Sequence, residues 1–294
     1  MRTLPYNEGS HIEVLSHMLK VDLHCLSNVY DGVLTPAGVA AYAHRAGVDV
    51  WALTDHDEIG GIVAARVAAT DLGMRFVAGV EISITWANQT VHIVGLQIDE
   101  TSAVLQAGLV ATRAGRDARG REIAAQLAAA GYPGAYEGAL EYVGNPDLMS
   151  RTHFARYLVA CGACANTSEV FRRFLTEGKP GYVPHRWASL PEAVGWITAA
   201  GGIPVVAHPG RYNFSPVAEA ALFDEFKQLG GAAIEVVTGS HTPAQYGIYA
   251  EVAKRNGFLA SRGTDFHAPG EARVEFDKLP PLPAGVTPVW HDWF

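Results

Sequence analysis

The sequence contains few cysteines, no excess of basic residues and no long apolar run. Its three cysteines in 294 residues cannot form a disulfide framework. The formal net charge of -8 argues against a nucleic-acid coat or a polybasic membrane binder, because both depend on excess Lys and Arg that meet phosphate groups. No apolar run approaches the roughly 20 residues that span a bilayer, and no secretory signal is evident. We therefore expect a cytoplasmic protein with no membrane role.

Two of the cysteines form a recognisable pair. Cys161 and Cys164 have the C-x-x-C spacing of redox and zinc sites. Neither use is supported, since no second C-x-x-C follows and no βαβ redox unit surrounds the pair. We interpret both residues as ordinary thiols.

A recurring strand pattern dominates what the sequence does contain. Hydrophobic residues make up 49% of the chain, which is enough for one sizeable core. Short runs rich in β-branched residues alternate with helical stretches, and this pattern favours an α/β fold with a largely parallel sheet. The predicted strands cover residues 20–24, 48–54, 76–82, 91–98, 203–207, 233–237 and 258–261.

Predicted helix boundaries agree with this alternation. A hydroxyl that caps free amides, followed by a proline or a glutamate, marks helix starts at Thr35-Pro36, at Ser189 with Glu192, and at Thr242-Pro243. Glycines fall where the helices should end, at Gly47, Gly73, Gly201, Gly230 and Gly257.

Residues 101–180 break the alternation, because strands disappear and Ala-rich helical segments replace them. We predict a helical insertion there, which would cover the substrate, between two barrel segments at 18–100 and 181–294. Residues 1–17 would be an N-terminal extension with no assigned role. The insertion holds nine Lys and Arg against seven Asp and Glu, so it carries +2 and the remainder carries -10. The cations are therefore concentrated on the insertion and the acids on the barrel.

Side chains that commonly bind metals stand at the ends of the predicted strands. In a parallel barrel the carboxyl ends of the strands meet at one rim, where active sites are built. A lone His or carboxylate in such a place is usually structural, but many of them converging without a cation would bury like charges together. We therefore predict a metal site from His24, Asp31, His56, Glu81, His92, His208, Asp265 and His267.

Five ordered motifs carry a resemblance to a known family. They are Asp22-Leu23-His24-Cys25 with Asp31-Gly32, Thr54-Asp55-His56-Asp57, Gly79-Val80-Glu81-Ile82, Ala207-His208-Pro209 and Gly263-Thr264-Asp265-Phe266-His267. The sequence resembles the PHP (polymerase and histidinol phosphatase) family over residues 20–270. The resemblance implies a distorted (β/α)7 TIM-like barrel that binds two or three divalent metal ions, such as manganese, iron or zinc, and cleaves phosphoesters. Mixed imidazole and carboxylate ligands suit these metals better than calcium.

The resemblance also implies roles for the ligands. Glu81 would bridge two metals, with His92 and His208 completing one of these sites. Asp31, His56 and His267 would hold another metal, and His24 and Asp265 would contribute to the remaining one. Asp265 or His267 would also handle a proton during catalysis, provided that the metals leave it free.

Two residues depart from the family pattern. Where the first motif has His-x-His, this chain has His24-Cys25-Leu26, and an alkyl side chain cannot bind a metal. One metal position is therefore expected to be weakened or empty. Tyr30 stands where the nucleotide-phosphatase branch has a small Ser, and it would narrow the pocket. Cys25 should point away from His24, because side chains alternate along an extended strand.

Cationic side chains in or near the insertion are candidates for phosphate binding, since guanidinium groups match phosphate oxygens. They are Arg116, Arg119, Arg151, His153, Lys179 and Arg211. A substrate with one phosphate at the metals and another at the insertion fits this layout. The resemblance implies a 3′,5′-bisphosphonucleotide, or the 5′ end of a short RNA that is degraded stepwise to nucleoside 5′-monophosphates. No membrane or protein partner is expected.

Two other functions fit the same residues. One is hydrolysis of small phosphomonoesters such as histidinol phosphate. The other is a non-catalytic metal-binding protein, because Leu26 replaces a ligand. A polymerase-associated proofreading domain is disfavoured, since the chain contains no polymerase region.

Overall fold

The computed structural model describes residues 19–143, 146–271 and 273–294, so the predicted extension at 1–17 lies outside the described residues. Seven strands form one sheet in sequence order. The backbone N–H of Leu23 also donates to the carbonyl of Arg262 at 3.0 Å, so the first strand meets the last and nearly closes the sheet into a barrel. This confirms the predicted barrel-like α/β fold. The strands are β1 (Val21–Asp22), β2 (Val50–Leu53), β3 (Arg75–Trp86), β4 (Gln89–Leu96), β5 (Ile203–Val206), β6 (Ala233–Thr238) and β7 (Leu259–Gly263).

Strand β4 runs against both of its neighbours, whereas all other neighbouring strands are parallel. Its first residues therefore lie at the rim where the parallel strands end. This reversal explains why His92 opens its apolar run while the other predicted ligands follow theirs. Ser83 of β3 pairs with His92 in the register of the β3–β4 hairpin.

Helices cover the outside of the barrel, and the predicted capping signals are confirmed. Thr35 accepts from the N–H of Gly38, and Ser189 and Glu192 form a reciprocal capping box. Gly257 ends its helix with φ of 68°, in the left-handed region that favours glycine. The barrel helices are α1 (Pro36–Arg45), α2 (Ile62–Asp71), α3 (Ala103–Arg113), α8 (Leu190–Ala199), α9 (Pro216–Gln228) and α10 (Pro243–Asn256).

The described residues between 101 and 180 contain helices and no strand. Leu105 and Leu109 of α3 nevertheless belong to the barrel core, and a Cβ on Gly108 would lie 2.3 Å from the Trp196 ring, so α3 packs tightly on the barrel. A separate apolar core begins after it. We place the start of the cap at Arg116 rather than at residue 101. Its helices are α4 (Arg116–Ala129), α5 (Ala135–Leu140), α6 (Arg151–Ala160) and α7 (Thr167–Val170).

The cap has its own core, in which residues such as Leu127, Phe154 and Leu158 are fully buried. The cap is therefore a separately packed helical unit on the rim and not an extended loop. Within the described residues, no helix is both long and apolar enough to cross a membrane.

Candidate metal centre and adjoining cavity

Glu81 lies at the centre of the predicted ligands. It is fully buried on β3, and each of its two carboxylate oxygens contacts two imidazoles. Oε1 lies 2.9 Å from Nδ1 of His92 and 3.1 Å from Nε2 of His208. Oε2 lies 3.0 Å from Nε2 of His24 and 3.1 Å from Nε2 of His56. One carboxylate therefore faces two separate pairs of nitrogen donors, which is the arrangement that a bridging ligand needs.

Glu235 supports this centre from β6, and the sequence analysis did not identify it. Its carboxylate accepts from Nδ1 of His24 at 2.8 Å and from the backbone N–H of His208 at 2.7 Å. Because Nδ1 of His24 is used in this way, its Nε2 faces Glu81. The signal was present in the sequence, since Glu235 is a carboxylate inside an otherwise apolar run.

The remaining ligands lie beside Glu81 but form a looser arrangement. Oδ1 of Asp265 is 3.5 Å from Nε2 of His24. Nδ1 of His267 lies 2.8 Å from the Asp265 carbonyl, and its Nε2 lies 3.6 Å from Oδ1 of Asp31. These distances leave space between the side chains.

The eight predicted ligands fall into groups of different size. Donor atoms of His24, Glu81, His208 and Asp265 lie within 4.8 Å of one another, as do those of His56, Glu81 and His92. His208 also lies beside His92, with 3.4 Å between Nε2 of His208 and Nδ1 of His92, and both face Oε1 of Glu81. Nε2 of His267 lies 3.6 Å from Oδ1 of Asp31, and its Nδ1 lies 3.8 Å from Oδ1 of Asp265. The assignment of these residues to individual metal ions stays a prediction.

Backbone conformation at the rim is unusual at two of these residues. His208 has φ of 28° and Asp265 has φ of 57°, a region that side chains other than glycine rarely occupy. Position 263, two residues before Asp265, is a glycine because His24 lies very close to it. A Cβ there would lie 2.4 Å from Cβ of His24. The fold thus holds these ligands in conformations that a free loop would avoid.

Electrostatics in the centre are strongly coupled. Burial alone would raise the pKa of Glu81, but His24, His56 and His92 hold it well below its usual range. Burial lowers the pKa of His56 to about 4, so this imidazole is neutral and able to bind a cation. The centre therefore presents an ionised carboxylate beside a neutral nitrogen donor at neutral pH.

The donor set fits divalent metal ions. Several buried donor atoms have no hydrogen-bond partner among the described residues, and unpaired buried polar atoms are costly. A cation would satisfy them, and it would relieve the crowding of carboxylates. The atoms without a hydrogen bond are Nε2 of His24, Oδ1 of Asp31, Nδ1 of His56, Oε2 of Glu81 and Nδ1 of His208, and Nε2 of His24 and Oε2 of Glu81 lie 3.0 Å apart as a close ion-pair contact.

Leu26 lies in an apolar cluster with Tyr30 and Leu148, and it is fully buried. Leu148 belongs to the cap, so the side chain that replaces the expected ligand packs against the insertion. The Sγ of Cys25 donates to the carbonyl of Ala52 at 3.1 Å and accepts from Nε1 of Trp51 at 2.8 Å. Leu26 and Tyr30, the two residues that depart from the family pattern, therefore pack against each other and against the cap.

A cavity of about 890 Å³ adjoins the metal centre, and His92 is part of its wall. The β3–β4 hairpin and the segment around Tyr182 form its sides. Four arginines line it, whereas Glu177 is the one carboxylate among its lining residues. The arginines are Arg119, Arg151, Arg186 and Arg211.

Three of the predicted phosphate-binding residues therefore line this cavity. Arg119 donates to the carbonyl of Val183 at 3.1 Å, and Arg151 donates to the carbonyl of Leu175 at 3.1 Å. Within the described part of the chain neither is paired with a carboxylate. Burial, together with the charges of Arg151 and Arg116, lowers the pKa of Arg119 to about 10. Arg211 lies 3.6 Å from Oδ2 of Asp265 and so connects the cavity with the metal centre.

The other three predicted phosphate-binding residues lie outside the cavity wall. Arg116 is buried, forms an ion pair with Asp57 and donates to the Tyr30 hydroxyl at 2.8 Å. His153 is fully buried and caps α6, where its Nδ1 accepts from the N–H of Ser150 at 3.0 Å. Lys179 is exposed. Arg116 and His153 therefore join the cap to the barrel, and Ser150-x-x-His153 has the spacing of a capping box.

Comparisons with known proteins agree with this architecture. No protein-family profile matches the chain. It is 46% identical to a 3′,5′-nucleoside bisphosphate phosphatase of Chromobacterium violaceum, over 94% of this chain and 96% of that one. It is 41% identical to a 5′-3′ exoribonuclease of Haemophilus influenzae, over 92% and 98%. A Bifidobacterium adolescentis protein described as a metal-dependent phosphoesterase superposes with a TM-score of 0.78 at 25% identity, over 92% and 93%.

The barrel, the candidate ligands around Glu81 and these relatives together define a phosphoester hydrolase. The chain belongs to the PHP family, in the branch of the 3′,5′-nucleoside bisphosphate phosphatases and 5′-3′ exoribonucleases.

Proposed function

We propose that the protein removes the 3′-phosphate from 3′,5′-bisphosphonucleotides, or a nucleotide from the 5′ end of short RNA, and releases nucleoside 5′-monophosphates. The observation that carries this proposal is the shared cavity. It brings arginines without carboxylate partners next to His92 at the edge of the metal centre. A substrate with two phosphate groups complements both parts of this cavity.

The metal centre would hold divalent ions on the side chains around Glu81. Two ions held there would supply a Lewis acid for the phosphoryl oxygens and would lower the pKa of a water molecule. Manganese, iron and zinc match the donor types. His24, His56, His92 and His208 direct ring nitrogens toward Glu81, and Asp31, Asp265 and His267 provide further donors nearby.

Arg119 and Arg151 would bind the phosphate that is not cleaved. Their guanidinium groups are held by carbonyl oxygens and aromatic rings, so their positive charges are available to an anion. Arg211 lies between this group and Asp265 and would contact the phosphate that is cleaved. Binding at both ends would orient the scissile ester toward the centre.

Asp265 and His267 are the candidates for proton transfer to the leaving oxygen. They stand at the rim beside Arg211, and 23% of the His267 side chain is exposed to solvent. The Asp265 carbonyl fixes Nδ1 of His267, which leaves Nε2 as the nitrogen that exchanges a proton. Both residues are also candidate metal ligands.

Metal analysis of the purified protein, together with a screen for phosphate and nucleotide release, tests the proposal. The substrates are bisphosphonucleotides, nucleoside monophosphates, histidinol phosphate and 5′-phosphorylated RNA of a few nucleotides. We expect bound divalent metal and preferential hydrolysis of ligands with two phosphates. Equal or better hydrolysis of simple monoesters would favour the small-phosphomonoester function.

A protein that binds metal without releasing any product, even with added manganese, would be a non-catalytic metal-binding protein. In that case, the Leu26→His variant tests whether the missing ligand explains the lack of turnover. A gain of bound metal together with turnover would show that the missing ligand is the defect.

A further inference from the structure

A stacked column of side chains connects the metal centre with the arginines of the cap. The ring of Tyr30 lies edge-on to His56, with ring centres 5.0 Å apart. The guanidinium of Arg116 lies 5.1 Å from the Tyr30 ring centre and 4.4 Å from that of Trp187. Arg119 lies 5.3 Å from the Trp187 ring centre. The column therefore runs from a candidate metal ligand to a residue of the cavity wall.

Trp187 in this column is attached to the hairpin that carries part of the metal centre. Its backbone N–H donates to Oγ1 of Thr85 at 2.8 Å, and its Nε1 donates to Oγ1 of Thr90 at 3.3 Å. Thr85 belongs to β3, which also carries Glu81, and Thr90 belongs to β4, which also carries His92. The position of the indole is thus fixed relative to two candidate metal ligands.

Arg116 has a similar attachment to the barrel. It pairs with Asp57, whose Oδ1 accepts from the backbone N–H of Ser83 on β3 at 2.8 Å. The indole is thus held between two guanidinium groups, and one of these is fixed to the same strand as Glu81. Cation–π contacts of this kind favour a guanidinium that lies over the face of the ring.

Arg119 has few other contacts that could position it. Among the described residues, its guanidinium makes one hydrogen bond, to the carbonyl of Val183, and its cation–π contact is with Trp187. The Val183 carbonyl and the indole face are therefore the two described contacts that hold this guanidinium, and of the two only the indole is a side chain that is also attached to the β3–β4 hairpin.

We propose that Trp187 is a specificity-determining positioning residue, which sets the distance between the metal centre and the Arg119 guanidinium and thereby selects ligands with two phosphates over ligands with one. This inference rests on the proposed function, because it takes the metal centre and Arg119 as the two phosphate subsites. The selected feature is the separation of the two phosphates rather than the identity of the base.

Binding measurements by calorimetry test this role without relying on turnover. The probes are an adenosine 5′-phosphate that carries a non-hydrolysable 3′-methylenephosphonate, and the same 3′-phosphonate without the 5′-phosphate. Each is titrated into the manganese-loaded protein. The selectivity is the Kd of the probe without the 5′-phosphate divided by the Kd of the probe that carries it. Trp187→Leu should lower this ratio about tenfold, and Trp187→Phe should lower it about threefold, since a smaller ring keeps part of the contact.

The matched control is Trp196→Leu, since Trp196 packs α8 against Gly108 on the outside of the barrel. This variant should keep the wild-type selectivity, and all variants should keep the wild-type metal content. If Trp187→Leu fails to fold, Trp187→Phe decides alone.

Equal weakening of both probes in a Trp187 variant would overturn the proposal, and so would a wild-type protein that binds both probes equally. A wild-type protein that prefers the bisphosphate probe but releases no phosphate from bisphosphonucleotides would instead overturn the proposed function, while the Kd ratios still decide the role of Trp187.

Discussion

The barrel rim and the cap hold their functional side chains in opposite ways. At the rim, Glu81 and His24 are fully buried and are held by side chains from several strands. In the cap, Arg119 and Arg151 are partly exposed and rest on carbonyl oxygens and rings. On the proposed function, the strands would hold the reacting centre in a fixed geometry, and the separately packed cap would contribute to substrate selectivity.

Substitution of Glu81 should have the largest effect. Glu81→Gln removes the charge from the carboxylate that contacts four imidazoles, so metal content should fall and phosphate release should drop by at least about 1,000-fold. Elemental analysis and a phosphate assay measure both effects. Glu225→Gln is the control, because its carboxylate accepts from Nε1 of Trp86 and contacts no candidate ligand. Retained metal and turnover in Glu81→Gln would show that the centre lies elsewhere.

Substitution of Glu235 tests a residue that positions a candidate ligand and is not itself one of the predicted ligands. Glu235→Gln keeps the shape of the side chain but removes the charge that orients His24, so metal affinity should fall by about 10- to 100-fold. Titration with manganese gives the affinity directly. An unchanged affinity would mean that His24 is held by its other contacts alone.

Substitution of Arg151 examines the cap. Arg151→Ala should lower kcat/KM for a bisphosphonucleotide by about tenfold or more, because it removes a charged hydrogen bond to phosphate. Hydrolysis of the matching nucleoside 3′-phosphate should change little. Arg172→Ala is an exposed control on the same cap. An equal loss for both substrates would assign Arg151 to the cleaved phosphate or to folding.

Substitution of His153 should have the smallest effect, on stability rather than activity. Burial lowers the pKa of His153 from 6.5 to about 4, so the folded protein holds this imidazole neutral. Its contribution to stability is present above pH 6.5 and is lost as the pH falls toward 4, which amounts to about 2 kcal/mol by pH 5. His153→Gln keeps the capping box but does not titrate, so its free energy of unfolding should fall less between pH 8 and 5.

Chemical denaturation at the two pH values measures this difference. His44→Gln, an exposed change in the last turn of α1, provides the control. Identical pH dependence in wild type and His153→Gln would show that the imidazole becomes protonated without cost.

Local signals made much of the barrel predictable from the sequence. All seven predicted strands are present, because β-branched runs separated by Pro and Gly signals specify local conformation. The reversal of β4 was not predicted, although His92 at the start of its run was a sign of it. The reversal depends on how β4 pairs with β3 and β5, and no single segment of the sequence specifies that pairing.

The candidate site was less predictable in the cap than at the rim. Ligands at strand ends have a topological reason to converge. The positions of Arg116 and His153 depend on tertiary contacts with Asp57 and Tyr30, so residue type alone suggested phosphate binding. Trp187 and Glu235 carry no motif, and only the packed structure shows what they support.

The separate core of the cap has an evolutionary consequence. Because this unit has its own apolar interior, mutations inside that interior can change the cap while the contacts of Arg116 and His153 with the barrel are kept. A new substrate range would then arise by changes in the cap alone, on an unchanged barrel. A chimera that carries the cap of a relative offers a direct route to altered selectivity.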